Sequence, residues 1–555
     1  MNGPPLTPAL WAAAFAPVAT LFALVASGRV RTQRAAAVVL VVTAALGLTA
    51  FRAGPAVLLL AAGKGLWLGA WILLVVWPAL LLYRLAEVGG LERIGKVFVS
   101  ILPRRRENLL IVSWLFPAFI QGVAGFGTPI AVAAPLLVAM GWSRTRAVVY
   151  PLIGYHWAVT FGSMGSSFYM ASLTAHLSPG QQVRFAVLAA SVLGVNCLLS
   201  GALVLFMDGR WTGLREGGRV LVLAGVPMAV TQVVTAYIVP AVASLAAGAT
   251  GFLAVFAMAA RHRRRQRAAA PVGIGAAGAA TGRVREGTAV AGAGPPGPDR
   301  APVAEADDVH PAQLLSPYLY LLALALPVFL VPASRAWVRA HLLLALDFPA
   351  TTTGWGWATE AAPQYTPVAL LGHPGSYISL ACLLGYLTYR WVGLWGATNG
   401  RAVLRKWARS LPRASTSIVQ LAVVATILID TGMVAVLARG VTGATGEAFP
   451  LLSPVVGAMG SFMTGSTTSA NALFSSLQTQ VAGLLDIAPE VLLTGQTVGG
   501  NVGNSVAPVI ILIGVTAVGV PDQVSRILRI SLVPCAVLLA GVSAMVLVLS
   551  RLVHP

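Results

Sequence analysis

The chain has 555 residues, of which 57% are hydrophobic and 10% are charged, and its mean hydropathy is +0.81. This composition excludes a water-soluble globular protein and predicts helices that face lipid or one another. The formal net charge of +20 does not indicate nucleic acid as a partner, because the basic residues cluster in short loops beside apolar runs, as the positive-inside rule describes.

Apolar runs long enough to cross a bilayer recur along the whole chain. They are continuously apolar and do not alternate, so they predict an all-α polytopic membrane protein with about twelve transmembrane helices. Residues 1–90 hold the first of these helices, and the absence of Lys and Arg before the first run predicts an outside N-terminus in the cytoplasmic (inner) membrane. Because Cys197, Cys382 and Cys535 lie in apolar runs, we expect no disulfide, bound metal or other cofactor.

In residues 91–260, two apolar segments are interrupted by small and polar residues. The interruption at residues 121–129 has apolar flanks long enough for only half a bilayer each, which predicts a re-entrant hairpin near residues 109–141 that enters from the cytoplasm. The interruption at residues 161–167 predicts a broken helix near residues 146–174. Irregular backbone at this depth is tolerated only where it is buried in protein or lines a cavity.

Residues 261–312 begin with a run of arginines and continue in Ala, Gly and Pro, with few large apolar side chains. Such a segment cannot bury enough apolar surface to fold. We therefore predict a disordered basic cytoplasmic linker, followed by connecting transmembrane helices over residues 313–400.

Residues 401–555 contain two further interruptions of the same kind. The run of small and hydroxyl residues at 464–471 predicts a second re-entrant hairpin near residues 450–482. The run at 496–504, which is rich in Gly and Asn, predicts a second broken helix near residues 490–518.

The two halves also share a short basic stretch, residues 96–104 and 405–413, that ends in Leu-Pro-Arg before a long apolar run. These stretches are either ordinary interfacial helices or arm helices that hold a moving domain. The loop charges let the first hairpin enter from the cytoplasm and the second from outside, so we expect inverted repeats.

The interruptions offer the groups that a carboxylate needs in a low-dielectric site. Half-helix N-termini present backbone N–H groups and the positive end of a helix dipole. Because no Arg or Lys lies inside any predicted span, a substrate with a single carboxylate is favoured over a di- or tricarboxylate. The alternative interpretation of the small residues in the interruptions is tight helix packing. The candidate substrate-binding residues are Gly125, Gly127, Thr128, Ser166, Gly465, Ser466, Thr468, Ser469, Asn471, Gln496 and Asn501.

Two ionisable residues, His156 and Asp430, lie well inside predicted spans. Ionisable groups in a membrane are costly and therefore indicate function. We interpret Asp430 as a candidate carrier of a coupling proton or ligand of a cation, against a structural hydrogen-bonded acid. His156 is a candidate for titration near neutral pH, against a packing role.

Three stretches carry a resemblance to a known family. Residues 125–134 resemble the Gly-Phe-Gly-x-Pro motif of the L-lactate permease family, and residues 464–474 and 499–503 are similar to its motifs in the second half. The resemblance implies uptake of lactate, and often of glycolate, by proton symport in the cytoplasmic membrane. Thr467 and Asn504 stand where the family pattern has Asp and Lys.

A third departure is the stretch at residues 155–157, Tyr-His-Trp, where the family has smaller residues. With the Asp and Lys of the family absent, Asp430 and His156 are the ionisable groups that remain for coupling.

We therefore expect a secondary active transporter of a small monocarboxylate, lactate- or glycolate-like, that works by alternating access with a proton or sodium as coupling ion. A passive channel or facilitator for small anions or neutral solutes is the alternative. An enzyme is not expected, because no phosphate loop, paired catalytic carboxylates or metal-ligand spacing is present. The expected surroundings are the lipid bilayer, and a homodimer is left open.

Overall fold

The computed structural model describes residues 3–27, 30–89, 101–125, 127–269, 311–396 and 399–554, which are mostly helical. The helices before the predicted linker are α1 (Pro8–Ala26), α2 (Thr32–Thr49), α3 (Pro55–Gly89), α4 (Arg105–Leu110), α5 (Phe116–Val123), α6 (Thr128–Ala139), α7 (Arg144–Gly154), α8 (Ser166–Thr174), α9 (Pro179–Ile238) and α10 (Ala243–Ala269). The later helices are α11 (Pro311–Leu314), α12 (Ser316–Leu330), α13 (Pro332–Ala340), α14 (Pro374–Trp391), α15 (Asn399–Asp430), α16 (Met433–Thr445), α17 (Phe449–Thr464), α18 (Thr467–Leu484), α19 (Pro489–Ser505), α20 (Pro508–Ala517) and α21 (Val524–Leu552).

Eight helical segments of the described ranges are long and apolar enough to cross a membrane, and the pair α12 and α13, bent by 98°, would add a ninth. One of the eight, α9, is 60 residues long and has non-helical backbone at Gly209 and Arg210. Its two parts fold back on each other, since a Cβ on Gly194 would lie 3.2 Å from Ala229 Cβ. The expected count of about twelve spans is not confirmed by length and hydropathy.

Two small antiparallel sheets correct the expectation of an all-α protein. Strand β1 (Leu343–Phe348) pairs with β4 (Ala362–Ala369), and β2 (Thr351–Thr352) pairs with β3 (Ala358–Thr359). This stretch is rich in Thr, Trp and Gly, and β-branched and aromatic residues favour strands while Gly favours turns. Residues 313–400 therefore hold a β structure as well as helices.

The β structure contacts the ends of two long helices through tryptophans. Trp355 Nε1 donates a hydrogen bond to the Ala50 carbonyl oxygen at 2.9 Å, just after α2. Trp357 Nε1 donates to the Ile429 carbonyl oxygen at 3.1 Å, near the end of α15. The strands therefore cover the helix ends beside Asp430.

The predicted linker does not begin at residue 261, because α10 continues through the arginines to Ala269. Arg, Gln and Ala are good helix formers, so the helix extends past its apolar part. Most of the predicted linker, residues 270–310, lies outside the described residues, as do residues 90–100 with much of the first basic stretch.

The second basic stretch is the first part of a longer helix. It lies within α15, which continues through Pro412 to Asp430. The proline does not end the helix here, and the basic stretch and the apolar run after it form one element.

The centre of the protein is built around α18, whose residues are almost all buried and which packs against α8, α15, α16, α17 and α19. Helices α17 and α19 approach each other through glycines. A Cβ on Gly457 would overlap the Gln496 carbonyl oxygen, and one on Gly499 would overlap the Pro454 carbonyl oxygen. These glycines allow the two backbones to meet without an intervening side chain.

Replacing Gly499 by Ala should lower the apparent melting temperature of the purified protein, because the added methyl group has no room beside Pro454 and overpacking costs about 1–3 kcal/mol. The matched control is Gly483→Ala near the end of α18, where nothing lies within 4 Å. The control should melt like the wild type in a detergent-solubilised thermal scan. Equal losses in both variants would contradict the close contact of α17 and α19.

Candidate functional site

Hydroxyl and amide side chains from the two halves of the chain meet at the centre of the protein. The Oγ1 atoms of Thr160 and Thr497 lie 3.0 Å apart, and Thr160 Oγ1 also donates to Asn501 Oδ1 at 3.1 Å. Thr160 lies in the irregular stretch between α7 and α8, while Thr497 and Asn501 are on α19. All three side chains are fully buried, so these hydrogen bonds tie α19 to the first half.

Helix α18 adds a second set of contacts between the halves. Thr468 Oγ1 lies 3.2 Å from Ser166 Oγ and 2.9 Å from Ser167 Oγ. Asn471 Nδ2 donates to the Ser167 carbonyl oxygen at 2.9 Å and to Thr497 Oγ1 at 3.0 Å. We call the whole group the central polar cluster: Thr160, Ser166, Ser167, Thr468, Asn471, Thr497 and Asn501.

Among the residues that the structure describes, Asn471 Oδ1 and Asn501 Nδ2 of the central polar cluster and Ser469 Oγ beside it are buried and have no hydrogen-bond partner. An unsatisfied buried polar group costs about 1–3 kcal/mol. The cluster therefore holds unused donors and an unused acceptor, which a ligand with both kinds of polar group would satisfy.

The start of α18 is shaped by a glycine and a capping serine. Gly465 has a φ of 68° and Ser466 Oγ accepts a hydrogen bond from the Ser469 N–H at 3.3 Å. The left-handed conformation at Gly465 suits only glycine without strain. Since Thr468 lies in the first turn of α18, the positive end of the helix dipole faces the central polar cluster.

The first interruption is closed by a similar turn. Gly127 has a φ of 82° and precedes α6, and the Gly125 N–H donates to Ser163 Oγ at 2.9 Å. The Thr128 N–H donates to the Gly125 carbonyl oxygen at 3.1 Å. Among the described residues no hydrogen bond joins the Thr128 side chain to the central polar cluster, and Phe126 lies outside the described residues.

Both glycine turns lie beside the same helix, α20. A Cβ on Gly127 would overlap Ile513, and one on Gly465 would lie 3.4 Å from Val509 Cβ. Val509 and Ile513 are one helical turn apart on α20. The glycine turns of the two interruptions therefore lie beside the same part of α20.

Gln496 lies on α19 but makes different contacts from Thr497. Its Oε1 accepts a hydrogen bond from Gln478 Nε2 at 2.9 Å, and Gln478 Nε2 also lies 3.5 Å from the Ser453 carbonyl oxygen. These contacts join α17, α18 and α19. The structure thus places Gln496 in the packing of the second half.

His156 is buried in the turn that follows α7. Its Nδ1 lies 2.9 Å from the Ile153 carbonyl oxygen, and its Nε2 makes no hydrogen bond with the described part of the chain. No hydrogen bond connects it to the central polar cluster in the described ranges. Within those ranges no three His, Cys, Asp or Glu side chains are grouped to hold a metal ion.

Asp430 forms a buried ion pair with a lysine. Its Oδ2 lies 2.8 Å from Lys64 Nζ, and the two side chains are 3% and 4% exposed. The sequence-based expectation that no Arg or Lys lies inside a span is therefore wrong, because Lys64 lies inside the first half of α3.

Helices α3 and α15 are brought together around this ion pair by the glycine next to Lys64. A Cβ on Gly65 would lie 2.5 Å from Val423 Cα and 2.6 Å from Thr426 Oγ1. Because both charged side chains are almost fully buried, the two charges depend on each other for stabilisation.

The comparison with known proteins agrees with the resemblance found in the motifs. A family profile described as L-lactate permease matches residues 11–553. The chain belongs to the L-lactate permease family.

Curated relatives in this family are similar over most of their length. The glycolate permease GlcA of Escherichia coli is 27% identical over 538 residues, which cover 93% of this chain and 91% of the relative. The L-lactate permease of Halalkalibacterium halodurans is 26% identical over 496 residues, which cover 88% of this chain and 86% of the relative.

Among solved structures, the YdaH transporter of Alcanivorax borkumensis is similar with a TM-score of 0.45 and 14% identity, over 85% of this chain and 84% of that one. Family membership and the apolar helices make this permease-family chain a multi-pass protein of the cell membrane.

Sequence reasoning on this permease-family chain missed four residues of the site. Thr160, Ser167 and Thr497 belong to the central polar cluster, but each is an ordinary hydroxyl in or next to a predicted interruption, and only the fold shows which hydroxyl points inward. The sequence itself indicates that Lys64 lies inside an apolar run, because residues 55–63 before it are also free of charge.

Proposed function

We propose that the protein is a secondary active transporter that carries a small monocarboxylate such as lactate or glycolate across the cytoplasmic membrane. The relatives described above are named as permeases for these two acids. The observation that supports the proposal most directly is the central polar cluster, which is buried, is built from both halves of the chain and retains unpartnered polar atoms.

The unpartnered atoms suit a 2-hydroxy acid. Asn501 Nδ2 and Ser469 Oγ can donate hydrogen bonds to a carboxylate, which accepts only. Asn471 Oδ1 can accept a hydrogen bond from a hydroxyl group on the neighbouring carbon. The N-terminus of α18 adds positive potential without a full charge, which fits a substrate with one negative charge.

The ion pair between Lys64 and Asp430 supports a proton as the coupling ion. The Lys64 ammonium group lies 2.8 Å from the Asp430 carboxylate and would repel a sodium ion bound there. A proton would bond to a carboxylate oxygen itself and would need no coordination site next to the ammonium group. Protonation of Asp430 removes its negative charge and leaves the Lys64 ammonium group unpaired. Binding of an anionic substrate then restores the balance of positive and negative charge. Helix α15 ends at Asp430 and packs against α18. This packing connects the ion pair to the central polar cluster.

Alternating access is proposed from the pairing of interrupted elements. In this proposal α4 to α6 and α17 to α18 are the re-entrant hairpins, and α7 to α8 and α19 to α20 are the broken helices, arranged as inverted repeats. The two glycine turns beside α20 support the idea that both hairpins reach one substrate position.

The test is uptake of radiolabelled lactate into proteoliposomes that contain the full-length protein, with the external solution more acidic than the interior. Proton symport predicts that internal lactate rises at least tenfold above the external concentration and falls back when a protonophore is added. A passive facilitator would only equalise the two concentrations, and that result would contradict the proposal. Accumulation driven by a sodium gradient alone would contradict the choice of the proton.

A further inference from the structure

A cavity of about 670 Å³ lies apart from the central polar cluster and shares no lining residue with it. It is formed by the turn between α6 and α7, the first part of α7, the break in α9 and the start of α21. By the positive-inside rule this is the cytoplasmic side, because the turn and the break carry several arginines.

The cavity carries excess positive charge. Three arginines line it, Arg105, Arg146 and Arg526, and none of them forms an ion pair with a described carboxylate. Asp208 is the one acidic residue among the described residues that line it. The balance of charge therefore depends on what Asp208 contacts.

Asp208 is already fully used by other groups. Its Oδ2 accepts from Arg106 Nε at 2.9 Å, and its Oδ1 accepts from Trp142 Nε1 at 3.0 Å and from the Tyr150 hydroxyl at 3.3 Å. Arg106 also pairs with Glu216 at 2.8 Å, so this guanidinium and its two carboxylates together carry one negative charge. The three positive charges of the cavity arginines exceed it, and the cavity keeps an excess of positive charge.

Three further contacts fix the shape of the cavity. The Arg105 guanidinium lies 4.2 Å from the centre of the Trp142 ring, and its Nη2 donates to the Gly141 carbonyl oxygen at 3.2 Å. Thr145 Oγ1 donates to Gln523 Oε1 at 2.9 Å, which ties α7 to the start of α21. A held guanidinium loses less conformational entropy on binding an anion than a free one.

An apolar surface continues from the cavity along α9 and α21. Phe206, Ile530, Val533 and Val537 are exposed large hydrophobic residues on these two helices, and Trp211 is 72% exposed beside the break in α9. Tryptophans at such positions mark the level of the lipid headgroups. The charged cavity thus lies where headgroups meet acyl chains.

We propose that this cavity binds the phosphate group of an anionic phospholipid of the cytoplasmic leaflet, with the acyl chains lying along the apolar sides of α9 and α21. Guanidinium groups bind phosphate oxygens through paired hydrogen bonds, and basic pockets between transmembrane helices on the cytoplasmic side suit anionic lipid headgroups. The apolar surface distinguishes this ligand from a free phosphate, which would gain nothing from it.

The test uses the purified full-length protein in a neutral detergent and three probes: dioctanoyl phosphatidylglycerol, dioctanoyl phosphatidylcholine and glycerol 3-phosphate. The rise in melting temperature with probe concentration gives an apparent Kd. We expect phosphatidylglycerol to bind at least tenfold more tightly than either other probe. The triple variant Arg105→Gln, Arg146→Gln, Arg526→Gln should weaken it at least tenfold.

The matched control removes three other arginines, with Arg215→Gln, Arg219→Gln and Arg263→Gln, and should leave the apparent Kd within about twofold. A triple replacement of the cavity arginines by Lys keeps the charge and should retain part of the preference, which guards against simple misfolding. Equal losses in the cavity and control triples would overturn the proposal in favour of diffuse charge. Equal binding of glycerol 3-phosphate would overturn it in favour of a soluble anion.

Discussion

Replacing Asp430 by Asn is expected to reduce the accumulation of lactate in proteoliposomes from at least tenfold to equilibration. The amide keeps the size of the carboxylate and one acceptor oxygen but cannot take up and release a proton. Exchange of internal for external substrate should continue, because exchange needs no net proton movement. The measurement is uptake under a pH gradient beside exchange without one, and accumulation at the wild-type level would reject the role of Asp430.

The same substitution leaves Lys64 buried without its partner. Breaking a buried ion pair from one side costs about 3–5 kcal/mol, so Asp430→Asn should also lower the melting temperature. The double variant Lys64→Met, Asp430→Asn removes the unpaired charge and should recover most of the lost stability without recovering accumulation. If it restored accumulation as well, the defect of the single variant would be one of folding.

Glu490 supplies a matched control for the coupling test. It is also a buried acid, 1% exposed, but its partner Arg184 is 58% exposed and lies 2.8 Å away. Water can therefore solvate the arginine when the carboxylate is lost. We expect Glu490→Gln to accumulate lactate within about twofold of the wild type.

Replacing Asn471 by Ala is expected to raise the KM for lactate by roughly tenfold to a hundredfold. The change removes an acceptor proposed to contact the substrate, and it removes the Nδ2 donor that bonds to the Ser167 carbonyl oxygen and to Thr497 Oγ1. Losses of about 1–3 kcal/mol per buried hydrogen-bonding group correspond to this range, since 1.4 kcal/mol is tenfold in affinity. The check is initial uptake rates over a series of lactate concentrations.

Thr479→Ala is the control for Asn471→Ala because it lies on the same helix. Its hydroxyl donates only to the Ser476 carbonyl oxygen, at 3.0 Å, and we expect an unchanged KM. Stabilisation by lactate in a thermal scan separates binding from folding. A variant Asn471→Ala that melts earlier but keeps its KM would show that Asn471 has a structural role alone.

Much of the helical architecture could be predicted because lipid imposes long apolar runs on the sequence. The breaks in these helices also leave a local mark. Gly127 and Gly465 both adopt positive φ, a conformation that other residues adopt only with strain, and each stands in a run of small and polar residues. The β structure around residues 343–369 left a weaker mark, because its strands are only two to eight residues long.

The partners of the site residues could not be predicted, because they depend on which elements meet in space. Ser166, Thr468, Asn471 and Asn501 were candidates from their residue type, and the structure brings them into one cluster, while Gln496 belongs to packing between helices. Lys64 and Asp430 are separated by 366 positions in the chain. Only the packing of α3 on α15 shows that the acid has a counter-ion, and the transport roles of all these residues remain predictions.

The central polar cluster has a consequence for any movement of the two halves relative to each other. Thr160 bonds to Thr497 and Asn501, Thr468 bonds to Ser166 and Ser167, and Asn471 donates to the Ser167 carbonyl oxygen, so each of these contacts crosses between the halves. All of these side chains are buried, and a buried polar group that loses its partner costs about 1–3 kcal/mol. The halves can therefore separate here only where other polar atoms, from a substrate or from water, replace the bonds that are broken.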